Sequence, residues 1–224
     1  MAIELANHIY RDGEGVPVVL MNAYPVDHRM WDVCAKALAD FADLNDVPDF
    51  PIWAPDMAGS GASPVPSDAD SGPRMANGAY SEALDRLAGA YVDLIKAAGY
   101  EQAIWVGLSM GGYVALAFCE RHPEMLDGLV LFSSTPNADT EEKRENRRRE
   151  IALVRAGKKE QLARVAPGAG FAADNRQRMA DAIADLTEQV YLTEDDGIVA
   201  LLNGMIARPD RNEVLRRSPV RQLF

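Results

Sequence analysis

Residues 103–120 carry the sequence AIWVGLSMGGYVALAFCE, which contains the strongest structural signal of the chain. An apolar run that is too short for a helix leads into Gly107-Leu108-Ser109-Met110-Gly111, and a helical run follows. These five residues match G-x-S-x-G, the pattern of a strand-to-helix turn that holds a nucleophilic serine in a strained backbone conformation. Because strand and helix pass close to such a turn, Gly107 and Gly111 are needed on either side of the serine. The stretch predicts a serine turn with Ser109 at its apex rather than a glycine-rich connection without chemistry.

Further apolar runs and helical stretches on both sides of this turn repeat the alternation of strand and helix. The apolar runs are continuous, which is typical of strands covered on both faces. The predicted strands are residues 16–23, 52–55, 102–107 and 128–133, and the predicted helices are residues 31–41, 81–98 and 110–121. This alternation predicts an α/β fold with a doubly wound, mainly parallel sheet. Residues 2–5 and 8–12 are expected to form a hairpin ahead of it.

After Ser134 the alternation stops, and helical apolar stripes follow without a clear strand. One stripe consists of Met179, Ile183, Leu186 and Val190, and another consists of Ile198, Leu201, Leu202 and Met205. An insertion between strands of an open sheet lies above their carboxyl ends, where ligands bind. We expect a core at residues 1–138, an inserted helical cap at 139–217 that acts as a lid, and the start of a further core strand at 218–224.

Composition excludes several classes of partner. The chain has 23 Lys and Arg against 34 Asp and Glu, a formal net charge of -11, which disfavours nucleic acid and anionic membrane surfaces. It has neither a long apolar run nor the regions of a signal peptide, so a cytoplasmic protein without a membrane partner is expected. Cys34 and Cys119 are interpreted as buried apolar residues rather than as a disulfide framework.

The sequence indicates no cofactor and no metal site. Gly59-Ser60-Gly61 follows a strand but lacks the third glycine of a dinucleotide site. His8, His28 and His122 are scattered along the chain without the spacing of metal ligands. The basic residues between Lys143 and Arg149 alternate with glutamates, which is typical of a solvated helix face rather than a nucleic-acid patch.

A serine nucleophile also needs donors for the oxyanion that its attack creates. The backbone N–H of Met110 is one candidate, because it lies at the positive end of the following helix. The segment Asn22-Ala23-Tyr24-Pro25 follows the first buried strand, where a backbone amide can face the serine turn. The backbone N–H of Tyr24 is the second donor that we expect. The alternative is an ordinary strand-to-helix turn closed by Pro25.

Three motifs in register resemble the α/β-hydrolase superfamily and span nearly the whole chain. Asn22-Ala23-Tyr24-Pro25 is similar to the family's His-Gly-x-Pro oxyanion loop, with Asn and Ala in place of His and Gly. Residues 56–63, DMAGSGAS, resemble the Asp-x-Arg-Gly-x-Gly-x-Ser loop without its Arg, and residues 107–112 match the serine turn. The helical stretch from Asp139 to Arg217 resembles the cap domain. Within it, residues 141–148 and 208–210 are similar to esterases and enol-lactonases.

The resemblance implies a serine hydrolase that cleaves a small carboxylic ester or lactone. Ser109 would attack the carbonyl carbon, the amides of Tyr24 and Met110 would hold the oxyanion, and water would release the acyl-enzyme. Carbon–carbon bond hydrolysis or perhydrolysis would use the same turn. A non-catalytic protein that binds small molecules would keep the pocket and lack the base.

The sequence does not supply the family's catalytic base at the expected position. In the family the triad runs Ser, then Asp or Glu, then His, and only His122 follows Ser109, at the far end of the helix. Asp139 is one candidate for the acid, although the usual place is one strand later. His28 lies near the pocket, and His8 is given no role. Since residues 220–224 begin like another strand, we expect a longer natural chain with the acid and base beyond Phe224, and no imidazole within hydrogen-bond reach of Ser109.

Overall fold

The computed structural model describes residues 3–218 and 222–223, and a single sheet forms its centre. The strands are β1 (Asn7–Arg11), β2 (Val18–Met21), β3 (Ile52–Pro55), β4 (Ala103–Leu108), β5 (Leu126–Phe132) and β6 (Gln222–Leu223). Their spatial order is β1-β3-β2-β4-β5-β6. Every neighbouring pair is parallel except β1 and β3. The predicted mainly parallel α/β sheet is therefore confirmed.

Helices cover both faces of this sheet and then form a long excursion after β5. They are α1 (Asp32–Leu44), α2 (Asp68–Ser71), α3 (Ala83–Ala97), α4 (Met110–Arg121), α5 (Glu141–Arg155), α6 (Lys159–Ala169), α7 (Ala180–Leu192), α8 (Asp195–Ala207) and α9 (Asn212–Arg217). The predicted bounds of β3 and α4 match the structure, and the other predicted strands and helices overlap with those observed. The strong apolar periodicity of these segments explains the agreement.

The two faces of the central strands belong to two apolar clusters. In β2, Val18 and Leu20 pack in the cluster that contains α1, whereas Val19 and Met21 pack in the cluster that contains α3 and α4. The fully buried ring of Trp105 in β4 contacts Tyr91 of α3 and Phe118 of α4, with ring centres 6.1 and 3.9 Å away. Burial on both faces accounts for the continuous apolar runs of the sequence.

The expected N-terminal hairpin is wrong. Residues 3–6 form no strand, and β1 pairs with β3 in antiparallel register, Asn7 opposite Pro55. The backbone N–H of Asp56 then donates to the carbonyl of Ala6 at 2.9 Å. Apolar alternation indicates a strand but does not name its partner, and here the partner lies more than forty positions away. Position 2 lies outside the described residues.

One cysteine prediction is also wrong. Cys119 is buried in α4, but Cys34 is exposed on α1. The outer face of α1 carries further exposed apolar residues, including Val33 and Phe41. An apolar neighbourhood in sequence therefore does not mark burial on this helix.

Helices α5 to α9 stand between β5 and β6 in the chain. β6 is parallel to β5 at the sheet edge, with Gln222 opposite Leu129. A strand was expected over residues 218–224, of which 219–221 and 224 lie outside the described residues. Within the part of the chain that the structure describes, every helix is too short or too polar for a membrane span.

Candidate active site

Ser109 is the single residue between β4 and α4, and its backbone has a positive φ of +50° with ψ -109°. Such a φ is unfavourable for a residue with a side chain and must be held by its surroundings. The Ser109 N–H donates to the carbonyl of Phe132 at 2.9 Å, and its carbonyl accepts from the Ser134 hydroxyl at 2.8 Å. The half-buried Ser109 hydroxyl itself makes no hydrogen bond to any described residue. The turn therefore fixes the backbone and leaves the hydroxyl available.

Glycines let strand and helix approach this turn. A Cβ on Gly107 would lie 2.4 Å from backbone atoms of Gly111 and Gly112, and one on Gly111 would lie 2.3 Å from the carbonyl oxygen of Met21. Both distances are shorter than contacts between nonbonded atoms allow, so the predicted need for small residues at positions 107 and 111 is confirmed. The contact with Met21 also places the end of β2 directly beside the turn.

Two backbone amides near the turn have no acceptor. Met110 is the first residue of α4, and its N–H makes no hydrogen bond within the described residues. After β2, the N–H of Ala23 contacts Met30 Sδ at 3.1 Å, whereas the N–H of Tyr24 has no acceptor in the same part of the chain. The two amides predicted from the sequence therefore have no acceptor within the described residues, and their role as oxyanion donors stays a prediction.

Asn22 fixes the segment that carries the Tyr24 amide. Its buried side-chain amide donates to the carbonyl of Val26 and, at 3.4 Å, to the hydroxyl of Ser60. Ser60 in turn donates to the carbonyl of Met57 at 3.0 Å. The loops after β2 and β3 are therefore held to each other by Asn22 and Ser60. Asn22 stands where the family's oxyanion loop usually has His, and Ser60 belongs to the motif at residues 56–63.

The side chain of Tyr24 connects this loop to the helices after β5. Its hydroxyl donates to Glu150 Oε2 of α5 at 3.2 Å. Burial raises the pKa of Glu150 above its ordinary value, although the hydrogen bond from Tyr24 opposes that effect. Burial also raises the pKa of Tyr24, and the nearby Glu150 adds to it. Tyr24 thus stays a neutral donor that joins the core to α5.

Asp139, one candidate for the triad acid, forms ion pairs with two arginines. It is fully buried, Arg147 Nε donates to it at 2.5 Å, and Arg208 lies 3.0 Å away. The Arg208 guanidinium also lies 3.6 Å from the ring centre of Tyr113, and its Nε donates to Asn137 at 3.0 Å. Burial lowers the pKa of Arg208, against the opposing effects of Tyr113 and Asp139. Asp139 makes no hydrogen bond to a histidine, so in this structure its role is an ion pair.

The solvated-face prediction for α5 is confirmed in part. Arg144, Arg148 and Arg149 pair with glutamates one turn away on the exposed side. Arg147 is the exception, because its side chain lies inward on Asp139. The charge pattern of the sequence could not distinguish Arg147 from the neighbouring arginines, because Asp139, the acid that binds it, precedes the helix.

His8 and His28, which are distant in the sequence, both bind the carboxylate of Asp56. Asp56 is fully buried after β3, and it accepts from His8 Nε2 at 3.2 Å and from His28 Nδ1 at 2.9 Å. It also accepts from the backbone N–H groups of His28 and Ala62, at 2.8 and 2.9 Å. The histidines are scattered along the sequence, but the prediction that they lie apart is wrong for His8 and His28. The prediction that His8 has no role is also wrong, because His8 holds Asp56. The sequence signal was only Asp56 itself, within the motif at residues 56–63.

None of the three histidines of the sequence hydrogen-bonds to Ser109. His8 and His28 bind Asp56, and His122 ends α4, with its ring nitrogen 3.7 Å from Glu124. The expected absence of an imidazole bonded to the serine agrees with this geometry. A base for the Ser109 hydroxyl is thus not found among these side chains.

The group His8, His28 and Asp56 is also the cluster within the described residues that could hold a metal ion, because its donor atoms lie within 4.8 Å of one another. The two imidazole rings are stacked, with centres 3.2 Å apart and planes inclined by 10°. Nitrogen lone pairs lie in the ring plane, so those of two parallel rings do not converge on one point. Because Asp56 is already saturated by N–H donors, the arrangement fits a hydrogen-bonded anchor better than a metal site.

A small apolar cavity lies beside Met110. Its volume is about 30 Å³, and its lining includes Leu84, Leu87 and Leu201. The α8 stripe that was expected to roof the pocket is buried in the main apolar cluster, with Ile198 and Leu202 wholly covered. Helix α8 is therefore part of the packed core as well as a wall of this cavity.

Comparison with known proteins gives the same fold. The family model described as alpha/beta hydrolase fold matches residues 16–154. A 2-hydroxymuconate semialdehyde hydrolase of Pseudomonas putida is 41% identical over 134 residues, which are 60% of this chain and 42% of that protein. Epoxide hydrolase 1 of Caenorhabditis elegans is 30% identical over 125 residues, 55% of this chain and 26% of that protein. The matched part of the chain thus spans less than half the length of these curated relatives.

Solved structures extend the likeness to almost the whole chain. A thermophilic esterase from Thermogutta terrifontis has a TM-score of 0.81 at 26% identity and covers 98% of this chain and 73% of its own. The enol-lactonase from Burkholderia xenovorans LB400 has a TM-score of 0.80 at 22% identity and covers 99% of this chain and 78% of its own. At that identity the second likeness shows the fold alone. Since the family model covers more than half of the sequence and contains the serine turn, the chain belongs to the α/β hydrolase family.

Proposed function

We propose that this protein is a serine hydrolase that cleaves a small carboxylic ester or lactone through an acyl-enzyme on Ser109. The observation that carries the proposal is the Ser109 turn, in which a strained backbone presents a hydroxyl without a hydrogen-bond partner in the described chain. Strain of this kind is frequent at functional sites, where the surrounding structure holds it. The likeness to the Thermogutta terrifontis esterase supports an ester substrate.

In the proposed reaction, Ser109 Oγ attacks the carbonyl carbon of the substrate, and its proton passes to a base. The charge that develops on the carbonyl oxygen is held by the backbone N–H groups of Met110 and Tyr24. Collapse of the tetrahedral intermediate breaks the bond to the leaving oxygen, which takes up a proton. Water then attacks the acyl-enzyme and releases the acid and free Ser109.

Turnover depends on the base, and His8, His28 and His122 do not supply it in this geometry. We therefore expect the 224-residue chain to acylate Ser109 slowly and to turn over more slowly still. Imidazole added to the solution can take the proton in place of a protein side chain. It should therefore raise the rate of ester cleavage.

The test is labelling with a fluorophosphonate probe, followed by mass spectrometry of the modified peptide. We expect one label per chain on Ser109, faster with imidazole, and none in Ser109→Ala. Ser133→Ala is the matched control, because Ser133 also has a positive φ, at the end of the neighbouring β5, and its loss should leave labelling intact. A folded protein that stays unlabelled even with imidazole would favour the non-catalytic binding protein.

A second candidate is hydrolysis of a semialdehyde substrate by the same serine, with carbon–carbon bond cleavage or perhydrolysis as related uses of the turn. The 41% identity with the Pseudomonas putida 2-hydroxymuconate semialdehyde hydrolase favours it. Initial rates with p-nitrophenyl acetate and with 2-hydroxymuconate semialdehyde separate the candidates. An ester hydrolase prefers the first compound, and both activities disappear in Ser109→Ala.

A further inference from the structure

A cleft that does not include Ser109 is lined by arginines and by no carboxylate. Its volume is about 310 Å³, and it lies between the segment after α2 and the helices α5 and α8. Arg74, Arg148 and Arg155 line it, and Ile151 and Ile206 contribute apolar walls. Cationic groups around an apolar surface are the complement of a small organic anion.

Two of the three guanidinium groups form no ion pair within the described chain. Arg148 donates to Glu141 at 2.8 Å and to Glu145 at 3.2 Å. Arg74 and Arg155, in contrast, form no ion pair with any residue that the structure describes. The chain as a whole carries a net charge of -11, so acids are plentiful elsewhere. The Arg74 guanidinium lies 5.9 Å from the ring centre of Tyr80, so both Arg74 and Arg155 keep N–H donors available for an anion in the cleft.

The cleft also contains a side-chain amide that makes no hydrogen bond within the described chain. Asn203 of α8 keeps 8% of its surface exposed, and its side chain makes no hydrogen bond within the described chain. Its neighbours Leu202 and Met205 are buried apolar residues. Asn203 lines the cleft, and its amide atoms are accessible from it. The amide can therefore donate to a ligand beside the arginines.

Acidic groups confine the site on one side. A neighbouring cleft of about 290 Å³ shares Arg74, Arg155 and Asn203 but also includes Asp68 and Asp196. Asp68 accepts a hydrogen bond from the Tyr80 hydroxyl, which raises the pKa of Tyr80, whereas the nearby Arg74 and Arg155 lower it. An anion would be repelled by these carboxylates and would stay in the acid-free cleft.

We propose that this cleft binds a small organic carboxylate. Arg74 and Arg155 would hold the carboxylate oxygens, the Asn203 amide would donate a further hydrogen bond, and the hydrocarbon part would lie on Ile151 and Ile206. Inorganic phosphate shares the anionic chemistry but has no part for the apolar walls. The site is separate from Ser109 and does not rest on the proposed hydrolase activity.

A bound carboxylate would join three parts of the molecule. Arg74 belongs to the segment between α2 and α3, Arg155 ends α5, and Asn203 lies within α8. A ligand that contacts all three in the folded chain and none of them in the unfolded chain stabilises the fold by mass action. Binding should therefore raise the unfolding temperature as well as release or absorb heat.

The experiment titrates the protein with sodium glutarate and, separately, with sodium phosphate at constant ionic strength, by calorimetry and by thermal unfolding. We expect saturable glutarate binding that Arg74→Gln and Arg155→Gln each weaken about tenfold. Arg149→Gln is the control on the same helix, because Arg149 has 69% of its side chain exposed and lies outside the cleft. Ser109→Ala should bind glutarate as the parent chain does.

Several results would overturn the proposal. Equal glutarate affinity in the parent chain and in Arg155→Gln would remove the arginines from the site. Phosphate binding that is as tight as glutarate binding would contradict a role for the apolar walls. Asn203→Leu tests the amide, and circular dichroism establishes that the variant is folded. Unchanged glutarate affinity in folded Asn203→Leu would show that the amide is not a ligand.

Discussion

Two turns at the carboxyl edge of the sheet have the same setting and opposite side-chain chemistry. Ser109 follows β4, Asp56 follows β3, and glycines come close behind each. The Asp56 carboxylate accepts from two imidazoles and two backbone amides, whereas the Ser109 hydroxyl has no partner within the described residues. A side chain with its bonding capacity filled is an anchor, and one with spare capacity is open to a substrate. Position at this edge is therefore not enough to identify a reactive residue.

Replacement of Asp56 removes the anchor and tests this difference between the two turns directly. Asp56→Ala leaves four N–H donors without their acceptor at a fully buried position, so we expect a loss of about 3–5 kcal/mol in the free energy of unfolding. Ser109→Ala removes a hydroxyl without partners and should change that free energy by less than about 0.5 kcal/mol. Urea unfolding followed by fluorescence measures both.

Asp49→Ala controls for the loss of an ion-paired aspartate at the surface. Asp49 is 81% exposed and lies 3.3 Å from Arg11, so its removal should cost less than about 1 kcal/mol. A loss of similar size in Asp56→Ala and Asp49→Ala would contradict the anchor interpretation of Asp56.

The second variant overfills the serine turn. Gly111→Ala would place a Cβ 2.3 Å from the Met21 carbonyl oxygen, and because backbone must move to make room, we expect a loss of about 2–4 kcal/mol. Fluorophosphonate labelling of Ser109 should fall in the same variant, because the turn and the neighbouring amides shift together. Thermal unfolding and labelling rates report the two effects.

Gly89→Ala is the matched control for glycine replacement. Gly89 lies within α3 with no atom within 4 Å of the added Cβ, so the variant should gain about 0.5–1 kcal/mol from helix propensity. If Gly111→Ala were as well tolerated as Gly89→Ala, close packing at the turn would not be what fixes Ser109.

The two turns also differ in how far the sequence could predict them. The Ser109 turn is local, since its strand, its helix and both glycines lie within a few residues, and its geometry followed from the pattern. The Asp56 anchor depends on His8, 48 positions away, and on His28, 28 positions away. The bond from Tyr24 to Glu150 spans 126 positions. Apolar periodicity reports the face of an element and says nothing about which polar side chains meet after folding, so these contacts were missed.

The hydrogen bond between Tyr24 and Glu150 should have a smaller effect on stability, and this effect should depend on pH. Because burial raises the pKa of Glu150, the unfolded chain ionises this group at lower pH than the folded chain does. The folded state therefore holds more protons over that interval, and the contribution of Glu150 to stability falls as the pH rises above the ordinary glutamate value. Glu150→Gln keeps an acceptor for Tyr24 and removes the titration. We expect its unfolding temperature to improve, relative to the parent chain, from about pH 5 to about pH 8, by an amount equivalent to less than about 1 kcal/mol.

Glu141→Gln on the same helix supplies a control of opposite sign. The hydrogen bond from Arg148 lowers the pKa of Glu141, so its contribution is present above the ordinary value and is lost as the pH falls. Relative to the parent chain, Glu141→Gln should therefore do worse as the pH rises to about 5 and then stay level, while Glu150→Gln does better above about pH 5. Differential scanning fluorimetry of the three proteins in buffers that extend below and above about pH 5 measures both trends. Parallel pH profiles for the two variants would show that burial of Glu150 under Tyr24 does not set its protonation, and Tyr24 would then hold α5 through an ordinary surface contact.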